Sequence, residues 1–129
     1  MAAISDYLEN KLLDHVLRNT ALTSPTTVYL ALYSASPTDT GAAGTEISGG
    51  SYARQTITFG AAASGTISNS AEISFTSMPS CTVAFIGVHD HLTNANTNML
   101  FHGALSASKS VDAGDTFKIA IGDLDISLD

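Results

Sequence analysis

Apolar and polar positions change their period once along this chain, at Pro25. Before it, Leu8, Leu12, Leu13, Val16 and Leu17 recur at helical spacing, with Asn10, Lys11, Asp14 and Arg18 opposite. The pattern predicts a helix over residues 6–18. Asp6 with Glu9 three residues on resembles a capping box, and Ser5 is an alternative cap. Asp14 and Arg18 stand at i,i+4 for an ion pair. Asn19 and Thr20 suit a helix end, and Pro25 bars continuation. The apolar half of this helix spans about 180°, wider than the ~100° stripe that seats a helix on one sheet. Leu13 and Leu17 lie at the edge away from Leu8 and Leu12, so they are candidates for contact with another subunit.

After Pro25 the period is two. Residues 27–34 (TVYLALYS) predict a strand with Val28, Leu30 and Leu32 on one face and Tyr29, Ala31 and Tyr33 on the other, both largely covered. Residues 35–51, rich in Ser, Thr, Gly and Ala, predict a long loop that is mobile or ordered by a partner. Strands follow at 52–59, where Ala53, Ile57 and Phe59 oppose Arg54 and Thr58, and at 67–75, with an irregular turn near Asn69. Further strands are expected at 82–89, 99–105, 115–121 and 124–128, the last with Asp125, Ser127 and Asp129 outward. Gly60, Gly65, Asn94, Gly114 and Gly122 mark turns. About seven strands with short turns predict a mainly β fold. The expected architecture is an antiparallel β-sandwich or jelly-roll-like barrel with one N-terminal α-helix, in a single domain over residues 1–129. No internal repeat of fixed period is present.

Composition narrows the class of function. Hydrophobic residues make up 44% and charged residues 13%, the balance of a packed chain and the reverse of a disordered one. A net charge of -7 repels phosphate backbones and anionic membranes, so neither nucleic acid nor membrane is an expected partner. No apolar run reaches the ~18 residues of a spanning helix. The first residues lack the basic stretch and apolar core of a secretory signal. Cys81 is the lone cysteine and makes no internal disulfide. Folding in the cytoplasm of whatever cell makes the chain is expected.

Candidate chemistry is sparse. His89, Asp90, His91 and His102 form the most tempting group, since His89 and His91 share a strand face and His102 can sit on a paired strand. No cysteine or glutamate completes a zinc set, and Asp90 points away from the two flanking histidines, so a polar strand end is the better reading. Gly49, Gly50 and Ser51 lack the Gly-x-Ser-x-Gly elbow of a nucleophile and read as a turn. Asp112, Asp115, Asp123, Asp125 and Asp129 do not match a calcium loop and read as solvated. Tyr29, Tyr33 and Tyr52 suit core or interface packing. No catalytic residue, cofactor or metal is expected.

Four stretches taken together carry a resemblance: residues 4–20 (ISDYLENKLLDHVLRNT), 24–39 (SPTTVYLALYSASPTD), 44–61 (GTEISGGSYARQTITFGA), and the ending FHGALSASKS, GDTF and GDLDISL between 101 and 128. They resemble a family of small virion proteins of tailed bacteriophages, often labelled tail fibre proteins. The resemblance runs in order along nearly the whole chain and implies a non-enzymatic structural protein located in the virion. A fibre shaft needs stacked sequence repeats, which this chain lacks. A capsid decoration (cement) protein is therefore the first expectation. It would bind the major capsid protein or other virion proteins as a homotrimer, with Leu13, Leu17, Tyr29, Tyr33 and Tyr52 as candidate interface residues. A tail, fibre-adaptor or baseplate component is the alternative.

Overall fold

The structure, a computed structural model, describes residues 2–93 and 98–128. Asn94 and Asp129, read above as turn and strand-end residues, lie outside the described residues. The chain opens with a short strand, β1 (Ala2–Ile4), and a helix, α1 (Asp6–Leu17). Next come β2 (Val28–Ala35), β3 (Thr45–Glu46), β4 (Gln55–Ile57), β5 (Thr66–Ser68) and β6 (Ile73–Phe75). The chain ends with β7 (Cys81–His89), β8 (Met99–Val111), β9 (Phe117–Ile119) and β10 (Asp125–Ser127).

Six of these strands make one antiparallel sheet in the order β1-β8-β7-β2-β3, with β4 also paired to β2. The register Leu30↔Val88 and Leu32↔Ile86 puts four apolar side chains on one face. That face is covered by two short ladders, β5 with β10 and β6 with β9, which contribute Ile126, Ile73, Phe75 and Phe117 to the same core. The result is a sandwich-like fold with no closed barrel.

The strand expected at 67–75 is broken, and its partner 117–127 is broken opposite it. Asn69 fills the gap. Its Nδ2 donates to the carbonyls of Ala71 and Ala120, and its Oδ1 accepts from the amides of Gly122 and Leu124. A buried amide with all its capacity used replaces the missing ladder bonds. The strand expected at 99–105 runs on to Val111, across a register slip in which Ala104 to Lys109 on β8 face only Val83 to Phe85 on β7. Such a bulge hides the alternation that would have marked the extra residues.

The helix matches expectation in extent, but its cap is Ser5 and not Asp6. Ser5 has extended backbone angles and its hydroxyl accepts from the amide of Leu8. Its own amide donates to Leu100 and its hydroxyl to the carbonyl of Met99, so the helix starts where β1 leaves β8. Asp14 and Arg18 are paired at 3.0 Å.

Candidate functional site

The face of the large sheet opposite the apolar core carries Tyr29, Ala31 and Tyr33 of β2, Gly87 and His89 of β7 and His102 of β8. Of residues 35–51, expected as a mobile or partner-ordered loop, 36–46 are folded onto this face as a strap, and 49–51 turn against Ser77 and Pro79. Asp39 reaches His102, with Oδ1 2.6 Å from Nε2. Gly41 rests against the side chain of Met99, Pro37 and Ile47 are buried, and β3 pairs with the end of β2. Gly44, at φ +78°, makes the return turn, where any Cβ would strike the carbonyl of Ala35. Under this cover Tyr33 is 4% and His89 1% exposed.

A polar network ties the strap down. Arg54 donates twice to the carboxylate of Glu46, from Nε at 2.9 Å and from Nη2 at 2.8 Å. Its Nη1 donates to the carbonyls of His91 and Thr93, just beyond β7. One guanidinium thus joins β3, on one side of β2, to the loop leaving β7, on the other. Tyr52 donates its hydroxyl to Glu46 and accepts the amide of Leu32, while its ring stacks on Phe75 in the core. The Tyr33 hydroxyl and His89 Nε2 are 2.8 Å apart. Gly87 makes room for that pair, since a Cβ there would come within 3.0 Å of both rings.

The charges follow from this packing. Burial pushes the Glu46 carboxyl up, but the hydrogen bonds from Arg54 and Tyr52 together outweigh it and hold it below its ordinary value. Burial pushes the Tyr33 hydroxyl up to about 12, with the Glu46 charge adding to it, and raises Tyr52 as well. Burial, then the positive charge of Arg54, lower His89 to about 4. At neutral pH the site therefore holds one ion pair, a neutral histidine and two neutral tyrosines. Nothing in it is activated as a nucleophile or base.

The four residues weighed as a metal set are engaged separately. His89 bonds Tyr33, His91 Nδ1 donates to Asp90 at 2.8 Å, and His102 bonds Asp39. Asp90 also accepts from the backbone and side chain of Asn98. Ser51 follows the Gly49–Gly50 turn and donates its amide to Ser77. Asp112, Asp115, Asp123 and Asp125 are all exposed.

Of the candidate interface residues, Leu13 and Leu17 lie on the surface, 56% and 74% exposed, and Val16 between them is 71% exposed. Leu8 is buried and Leu12 partly so, which seats the helix on the core by its other edge. Tyr29 and Tyr52 are half-buried, and Tyr33 is interior. Sequence reasoning passed over Arg54, Glu46 and Gly87 as parts of a site. One signal could have flagged Gly87: a glycine inside the densest apolar strand, where close approach is the usual reason for it.

One open cavity of about 370 Å³ lies between the layers, walled by Val28, Phe59, Ile67, Val88, Phe101 and Ile126. Its lining is almost wholly apolar, so it offers burial and no chemistry. The site features described here are those of a scaffold: a tied-down strap, a locked interior and an apolar helix edge left on the surface. No curated protein matches the chain. A family model described as podophage GP4 fiber I protein gp80 matches residues 3–127, from within β1 to the end of β10, and the chain belongs to that family of phage fibre proteins.

Proposed function

We propose that this protein is a non-enzymatic, globular component of a podophage tail fibre, an adaptor or tip, attached through the exposed edge of its helix. The observation that carries the reading is the family match over residues 3–127, joined to a compact fold without repeats. A stacked shaft is built from repeats, and this chain has none. The virion location and a structural role follow from the family. Capsid decoration, placed first on the sequence, ranks second, because the family description favours the fibre and gives the shell no support.

Attachment through Leu13, Val16 and Leu17 rests on their exposure. An apolar row on a helix surface that is otherwise polar marks a contact site. We place the homotrimer contact or the contact with a neighbouring virion protein here. Copy number in purified particles tests the location. A few tens of copies at most, lost when tails are sheared from heads, are expected. Hundreds of copies retained on tail-less heads would restore the capsid reading. The double variant Leu13→Asp, Leu17→Asp tests the surface. It should stay folded by circular dichroism, yet lose self-association in light scattering or incorporation into particles.

A further inference from the structure

We propose that the Arg54–Glu46 clamp, with the His89 ring beneath it, is an acid-released latch on the strap formed by residues 36–46. The strap is held by β3 on β2, by Asp39 on His102 and on the amide of Asp6, by Glu46 on Arg54 and Tyr52, and by the packing of Pro37 and Gly41. Its closed position depends on one guanidinium that also grips the carbonyls of His91 and Thr93. His89 is buried beside this clamp, bonded to Tyr33, which in turn is register partner to Glu46. A proton on the His89 ring adds a second positive charge to a site already built around Arg54.

The charged and titratable groups that face His89 come from every surrounding element. Among the described residues they are Tyr33 on β2, Glu46 on β3, Arg54 before β4 and Asp90 after β7, with His102 of β8 on the same sheet face, bonded to Asp39 of the strap. Glu46 and Asp90 favour protonation. Burial and Arg54 oppose it and prevail, so His89 takes its proton only near pH 4 while the strap is closed. Once the strap opens, the ring meets water and returns toward its ordinary value of 6.5. The folded value is the depressed one, so closure is favoured above pH 6.5 and loses ground as pH falls toward 4. In that window the open state binds one more proton, and its population grows about tenfold per pH unit, about 300-fold in all. Acid thereby uncovers the sheet face that holds Ala31, Tyr33, Gly87 and His89, while the apolar layer opposite stays shut.

Hydrogen exchange of the whole protein, corrected for the intrinsic rate at each pH, tests this. Amides of residues 36–46 should exchange through an opening at least tenfold more frequent than that of β5 and β10 at every pH. That opening should grow about tenfold per unit between pH 6.5 and 4. His89→Gln should flatten the dependence, and Glu46→Gln should raise the opening already at pH 7. The latch is overturned if strap and far-layer amides share one opening constant, or if His89→Gln keeps the slope. Should His89→Gln fail to fold, NMR titration of the His89 ring in the unmodified protein decides. A midpoint near 4 supports the latch, and one near 6.5 removes its basis.

Discussion

The two faces of the large sheet are both closed to water, by different means. On one, Leu30, Leu32, Ile86 and Val88 meet Ile73, Phe75, Phe117 and Ile126 from the short ladders, and burial is apolar throughout. On the other, Ala31, Tyr33, Gly87 and His89 lie under a strap of small polar residues held by an ion pair and a handful of hydrogen bonds. The apolar face is stabilised by area, which is non-directional and tolerates repacking. The polar face depends on particular partners, and losing one leaves a buried charge or donor unpaired. The first kind of closure is robust, whereas the second can be opened by one proton or one substitution.

The largest effect should come from the apolar side. Phe75 is fully buried, stacked on Tyr52 and tilted against Phe117. Phe75→Ala should cost about 4 kcal/mol of unfolding free energy, read from the urea midpoint. Arg54→Met strikes the polar side and strands the partly buried Glu46, so a loss of about 3 kcal/mol is expected. The double variant Arg54→Met, Glu46→Met should recover most of that loss, because the pair is removed together. No such rescue is available for Phe75, and its absence sharpens the contrast. Next in size, Asn69→Ala leaves the amide of Leu124 without its acceptor, while Gly122 keeps the backbone carbonyl of residue 69, and should cost about 2 kcal/mol, with faster exchange at Leu124. The smallest effect belongs to Leu17→Asp, on neither face, which should change stability by no more than about 0.5 kcal/mol while reducing association.

The legibility of the chain follows the same division. The helix, β2 and β7 were readable because long apolar runs with a clear period must face a core, and the structure places them within a residue or so of expectation. The strand at 67–75 was readable as a run but not as two pieces, since the side chain that replaces its ladder belongs to one asparagine acting on residues 51 to 55 positions away. The strap was read as a mobile or partner-ordered loop, and its contacts to its own chain were not legible. Its residues are small and polar, and it is ordered by Asp39 on His102 and Glu46 on Arg54, contacts with no periodic signature. The candidate interface divides likewise. The width of the apolar half of the helix placed Leu13 and Leu17 outside the core, and alternation read the Tyr33 face as covered but not what covers it.

The exposed row Leu13, Val16 and Leu17 lies beside the Asp14–Arg18 ion pair on a chain of net charge -7. Two copies approaching each other therefore feel repulsion first, over a range of ~10 Å at 0.1 M salt, and apolar attraction only on contact. Encounter rate and residence time are set by separate features of the same surface. Salt governs how often two helices meet, and the three aliphatic side chains govern how long they stay together. On the proposed attachment, charge slows the meeting of newly made copies in dilute solution, and the helix holds them once a growing particle brings its neighbours into place.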